Sequence, residues 1–132
     1  FQHIMYQNPD LTPDQRNQTW LELEHKYRPW IDFDNLPFYG RGAGWQRQLH
    51  IYECPFYYID YCLSTMAALQ FFLLSLHDQK DAWERYLRLV RRAGTASYTE
   101  LCETAGLQVP FRDGSIKAIA QQMSQWIAEH QV

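Results

Sequence analysis

The chain has 132 residues, is 46% hydrophobic and 16% aromatic, and carries a formal net charge of −3. That is ample apolar material for one compact domain and too much for a disordered segment. Acidic and basic residues are interspersed, so no basic stripe offers the phosphate neutralisation that nucleic-acid binding needs, and nucleic acid is excluded as a partner.

The first helix signal is Thr12-Pro13-Asp14-Gln15: an N-cap hydroxyl, a proline at the first helical position and a glutamine three residues after the cap. It predicts a helix from Pro13 to Tyr27, stopped by Pro29, with Trp20, Leu23 and Tyr27 on one face. From Asp32 to Trp45, Pro37 and the glycines Gly40, Gly42 and Gly44 erase any period, which predicts a loop and a flexible flap at 40–44. Trp45 to Cys54 is compatible with an extended segment or a short helix.

Pro55 marks a helix start. The helix beyond it is expected to run to about Leu76, roughly 20 residues and 30 Å, and its apolar character on nearly every side predicts a buried, central position. Asp60, Gln70 and several hydroxyls interrupt the run, which argues against a membrane span. His77-Asp78-Gln79 caps a further helix with an apolar stripe of Ala82, Trp83, Tyr86, Leu87, Leu89 and Val90, ended by Gly94. Its charged residues, Lys80 to Arg92, read as a solvated face.

Ser97 and Glu100 form a second capping box over a short helix ending at Gly106. Ser115 is positioned to cap a last helix carrying Ile116, Ile119, Met123, Trp126 and Ile127. The expected fold is all-α: a single helical domain over 1–132, with about five helices around a central apolar helix at approximately 55–76.

The three cysteines, Cys54, Cys62 and Cys102, have no metal-finger spacing, and they read as reduced thiols of a cytoplasmic protein, Cys54 and Cys62 buried. The chain opens on Phe1 without a targeting pattern, as an excised piece of something larger would. The chemically informative stretch is His50 to Tyr61. With a helix beginning at Pro55, Tyr58 and Tyr61 share one face and His50 lies just upstream. Phenols stay protonated donors at neutral pH, so two phenols and an imidazole make an oxyanion and substrate clamp. The bland reading is that these aromatics are core. His3, His25, His77 and His130 read as structural or surface residues, and the five histidines form no HExxH, so a hydrolytic base and electrophile would come from elsewhere.

Trp45-Gln46-Arg47-Gln48-Leu49-His50-Ile51-Tyr52 followed by Pro55-Phe56-Tyr57-Tyr58-Ile59-Asp60-Tyr61 resembles the C-terminal catalytic region of oligoendopeptidase F, a thimet-oligopeptidase-like zinc metallopeptidase family. Phe1-Gln2-His3, Asn8-Pro9, Thr12-Pro13, Ala68-Leu69-Gln70 and the stretch from Tyr98 to Leu107 are family-like and in order. The resemblance implies a zinc-dependent enzyme cleaving short peptides in a helical channel. It implies that Tyr61 stabilises the oxyanion, that Tyr58 and His50 are catalytic and hold the substrate, and that zinc is bound by an upstream HExxH segment outside this chain.

Several expectations follow. The chain alone is inactive and binds no metal by itself; its partners are short peptides and the upstream zinc-binding segment, with neither nucleic acid nor membrane; and an apolar face uncovered in isolation promotes self-association. The alternatives are a non-catalytic helical interaction module and a subunit of a split peptidase. Solvent-accessible Tyr58 and Tyr61 hydroxyls favour catalysis; burial against Phe71 or Trp83 favours the module.

Overall fold

The computed structural model describes residues 1–33 and 35–130. Among them the secondary structure is entirely helical: α1 (Gln2–Gln7), α2 (Pro13–Tyr27), a 3₁₀ turn (Ala43–Arg47), α3 (Leu49–Glu53), α4 (Ile59–His77), α5 (Gln79–Arg92), α6 (Tyr98–Ala105) and α7 (Ser115–Glu129). The all-α expectation holds, with seven α-helices where about five were anticipated. The contacts cluster into two compact units, Phe1–Tyr58 and Ile59–Val132.

In the first unit α2 has the predicted bounds, and Thr12 and Gln15 form the complete capping box. The glycine segment that follows is packed, not a flap. Gly42 and Gly44 are buried, and a Cβ on Gly42 would lie 2.0 Å from the Asn17 carbonyl oxygen while one on Gly44 would lie 2.8 Å from Trp20 Nε1. The glycines let the backbone approach α2 closely, and Trp45 Nε1 donates to Asn17 Oδ1 at 2.9 Å. Asp34, inside the predicted loop, lies outside the described residues. Trp45 to Cys54 resolves as the 3₁₀ turn and α3, the helical of the two alternatives. Phe1 packs edge-on against Trp20 at 5.1 Å between ring centroids and also meets Trp45.

The second unit is built on α4 packed against α5 and α7, with α6 against α5. Cys102, Ala105, Leu107 and Val109 form its core, covered by Ala67, Phe71, Leu74, Leu89 and Tyr98. The buried amide of Gln70 is satisfied by the backbone of Gln108, accepting from its N–H at 2.7 Å and donating to its carbonyl at 3.1 Å. Tyr98 donates to the Leu63 carbonyl at 2.8 Å. Asp78 caps α5 through the N–H groups of Lys80 and Asp81, and Ser97 and Glu100 cap α6, which ends at left-handed Gly106.

Five details depart from the sequence reading. The central helix begins at Ile59, because Phe56 takes a left-handed backbone, φ 65°, that no helix can continue through. It is also much less buried than its composition predicts: only Gln70 is fully buried, and Ile59, Tyr61 and Leu76 are exposed. By length and apolarity this helix meets the requirement for crossing a bilayer, although Ala67, Phe71 and Leu74 already pack into a protein core. On α5 and α7, Trp83, Tyr86, Val90, Ile116 and Ile127 are exposed, leaving Ala82 and Ile119 as the buried anchors. Ser115 is the first residue of α7, not its cap; its hydroxyl donates to the carbonyls of Pro110 and Arg112. Cys54 and Cys62 are exposed rather than buried.

Candidate functional site

The short helix α3 places His50, and the turn after it returns the chain over that residue. Cys54, at φ −139° and ψ 71°, has left the helical region, which the following proline disfavours. Pro55 follows, and Phe56 then adopts its left-handed conformation, which costs a bulky residue about 1–3 kcal/mol. Two contacts hold this conformation: the Phe56 N–H donates to Gln2 Oε1 at 2.7 Å, and the Phe56 ring packs on Tyr6 with centroids 5.4 Å apart.

The turn brings two tyrosines against the imidazole of His50. Tyr57 stacks on it nearly parallel, at 5.3 Å and 7°, and Tyr58 lies tilted at 4.5 Å. The Tyr58 hydroxyl donates to Gln48 Oε1 at 2.7 Å. Nδ1 of His50 is buried without a hydrogen-bond partner among the described residues, a condition that costs about 1–3 kcal/mol. Such a nitrogen is poised to be satisfied when a ligand or a small rearrangement reaches it.

The turn thus makes His50 and Tyr58 neighbours in the first unit, and because Tyr58 precedes α4 it does not share a helix face with Tyr61 as the helix predicted from Pro55 required. Tyr61 lies in the first turn of α4, in the second unit. Tyr58 is 40% and Tyr61 53% exposed. Sequence reasoning did not single out Tyr57, Gln48 or Gln2. The helix predicted from Pro55 drew attention to the shared face of Tyr58 and Tyr61, and no periodicity marks a glutamine whose partner is a backbone N–H 54 residues away. The signal that was available is Pro55 itself, which breaks a helix as readily as it begins one.

No three His, Cys, Asp or Glu side chains among the described residues converge as metal ligands. The described residues do not by themselves fit a zinc centre. In the second unit an open groove of about 920 Å³ is lined by Phe71, Ala82, Trp83 and Tyr86 with a rim of Asp78, Gln79 and Lys80. It includes none of the candidate residues.

Comparison with solved structures decides the relationship. An oligoendopeptidase F superposes on 98% of this chain with a TM-score of 0.91 and 40% identity. PZ peptidase A, solved with an inhibitor, does so with a TM-score of 0.91 and 42% identity. The chain is homologous to part of oligoendopeptidase F. An oligoendopeptidase F from Bacillus anthracis str. Ames also matches 98% of it, with a TM-score of 0.73 and 32% identity. The chain spans 23%, 23% and 20% of the lengths of these three structures. No family model matches it, and no curated protein does. The oligoendopeptidase F likeness therefore rests on structure and on 32–42% identity over 98% of the chain.

Proposed function

We propose that this chain is the C-terminal, substrate-side part of a zinc-dependent oligoendopeptidase that hydrolyses short peptides in the cytoplasm. The observation that carries the reading is its 40–42% identity to peptidase structures over 98% of its length, together with the pairing of His50 and Tyr58. Tyr58 and Tyr61 are solvent-accessible, and the rings of Phe71 and Trp83 engage Tyr86, which favours catalysis over a packing role in an interaction module.

In this reading Tyr58 and His50 are catalytic donors that hold the substrate backbone. Tyr58 exchanges its hydrogen bond to Gln48 for a substrate carbonyl, and the His50 imidazole, kept upright by Tyr57, supplies a further polar contact. Tyr61 donates to the oxyanion as negative charge develops on the scissile carbonyl oxygen. Zinc, held by an HExxH segment outside these residues, would supply the electrophile and the activated water. The exposed apolar side of α4 is covered by that partner segment and not by lipid, and when the partner is missing it promotes self-association of the chain.

The test is hydrolysis of a quenched fluorescent peptide by the chain alone and by the chain joined to an upstream HExxH segment, each with and without zinc. Turnover confined to the joined, zinc-loaded protein is expected. Turnover by the chain alone contradicts the reading, and none in either form favours the interaction module.

A further inference from the structure

The turn that delivers Tyr57 and Tyr58 to His50 contains a non-glycine residue in the left-handed region, Phe56 at φ 65°. An outlier of this kind persists only where its surroundings over-determine it, and such residues cluster at functional sites. Its surroundings here are specific. Gln2, at the start of α1, accepts from the Phe56 N–H at 2.7 Å, and Tyr6, one turn further along the same helix, packs on the Phe56 ring. Gln2 lies 54 residues from Phe56 in sequence, so this is a tertiary clamp and not part of the turn's own hydrogen bonding.

We infer that Gln2 is a positioning residue: its side-chain carbonyl holds the left-handed Phe56 turn that sets Tyr57 and Tyr58 on the His50 imidazole. It acts by removing the alternative in which Phe56 relaxes to negative φ, which would rotate the following two residues away from α3. Gln48 completes the arrangement from the other side by accepting from the Tyr58 hydroxyl. The substrate-side donors are thereby preorganised before a peptide arrives.

This inference rests on the catalytic reading of His50 and Tyr58 only for its consequence in turnover, so the two are tested separately. The first readout is the NMR shifts of the His50 and Tyr57 ring protons in this chain, which report their near-parallel stack. Gln2→Met keeps the length and loses the acceptor, and Gln2→Glu keeps an acceptor. Ring shifts moving toward free values in Gln2→Met and staying in place in Gln2→Glu are expected; unmoved shifts in Gln2→Met, or equal movement in both, overturn the clamp.

Phe56→Gly supplies the second arm, because glycine adopts the left-handed turn unaided. In that background Gln2→Met should displace the rings less, and should Gln2→Met alone fail to fold, Phe56→Gly should restore it. Equal displacement, or no restoration, overturns the inference.

The second readout is turnover by the peptidase carrying this segment. Gln2→Met is expected to lower kcat by up to about 10²-fold with KM little changed, and Gln2→Glu to restore it. Rings that move while kcat stays constant would leave the clamp standing and remove the catalytic reading.

Discussion

Gly42 and Gly94 have nearly the same backbone angle, φ +73° and +79°, and opposite surroundings. In the first unit a Cβ on Gly42 meets the backbone of α2 at 2.0 Å, whereas in the second a Cβ on Gly94 meets nothing within 4 Å. The contrast extends to the units as wholes. The first is held by directional contacts: Trp45 to Asn17, Phe56 to Gln2 and Tyr58 to Gln48. The second adds to its own hydrogen bonds, Gln70 to Gln108 and Tyr98 to Leu63, an apolar cluster on Cys102, Ala105, Leu107 and Val109. Directional contacts fix where a polar side chain points, which suits the unit bearing His50 and Tyr58; burial fixes stability with less demand on orientation.

The sharpest way to break this contrast is the glycine pair. Gly42→Ala combines left-handed strain with a backbone clash and is expected to destabilise by about 3–5 kcal/mol, against about 1 kcal/mol for Gly94→Ala. Denaturant unfolding measures both, and equal losses would mean that the close approach of the glycine segment to α2 is not made.

Next in size is the pair on α7. Ile119 is 1% and Ile116 53% exposed, so Ile119→Ala should cost about 2–4 kcal/mol and Ile116→Ala under about 0.5 kcal/mol. A large loss at Ile116 would mean that α7 buries a different face.

The smallest expected effect is the pH dependence contributed by Tyr98 and Cys102 in the second unit. Burial pushes the Tyr98 phenol up, reinforced by its contact with Cys102, and burial likewise raises the Cys102 thiol. Both groups are neutral when protonated and ionise sooner in the unfolded chain, so the unfolded state binds fewer protons at alkaline pH. Their contribution is complete below the unfolded values, about 8.5 for the thiol and about 10 for the phenol, and is lost as pH rises beyond them. Thermal unfolding from pH 7 to pH 11 should show this decline, and Tyr98→Phe should flatten its upper part; an unchanged slope in that variant would remove Tyr98 as a source.

What the sequence disclosed divides along the same line. The bounds of α2 and α6 were legible because their capping boxes and their stop signals, Pro29 and Gly106, act locally. His50, Tyr58 and Tyr61 stood out as candidates because phenols and imidazoles in one short stretch are chemically conspicuous. The turn at Phe56 was not, because a left-handed phenylalanine depends on Gln2, far away in sequence. Nor was the packing of 40–44: glycines that permit close approach and glycines that confer flexibility have the same composition. The burial of α4 was overestimated because apolar composition records what a helix can cover, not what is present to cover it.

The central claim is that this segment supplies the donors to a peptidase transition state, and the most direct measurement is peptide turnover by the enzyme carrying it, with Tyr61 intact and as Tyr61→Phe. The expected result is a fall of about 10²–10³ in kcat with folding and zinc content unchanged. Turnover equal to that of the parent would contradict the claim and remove Tyr61 from the mechanism.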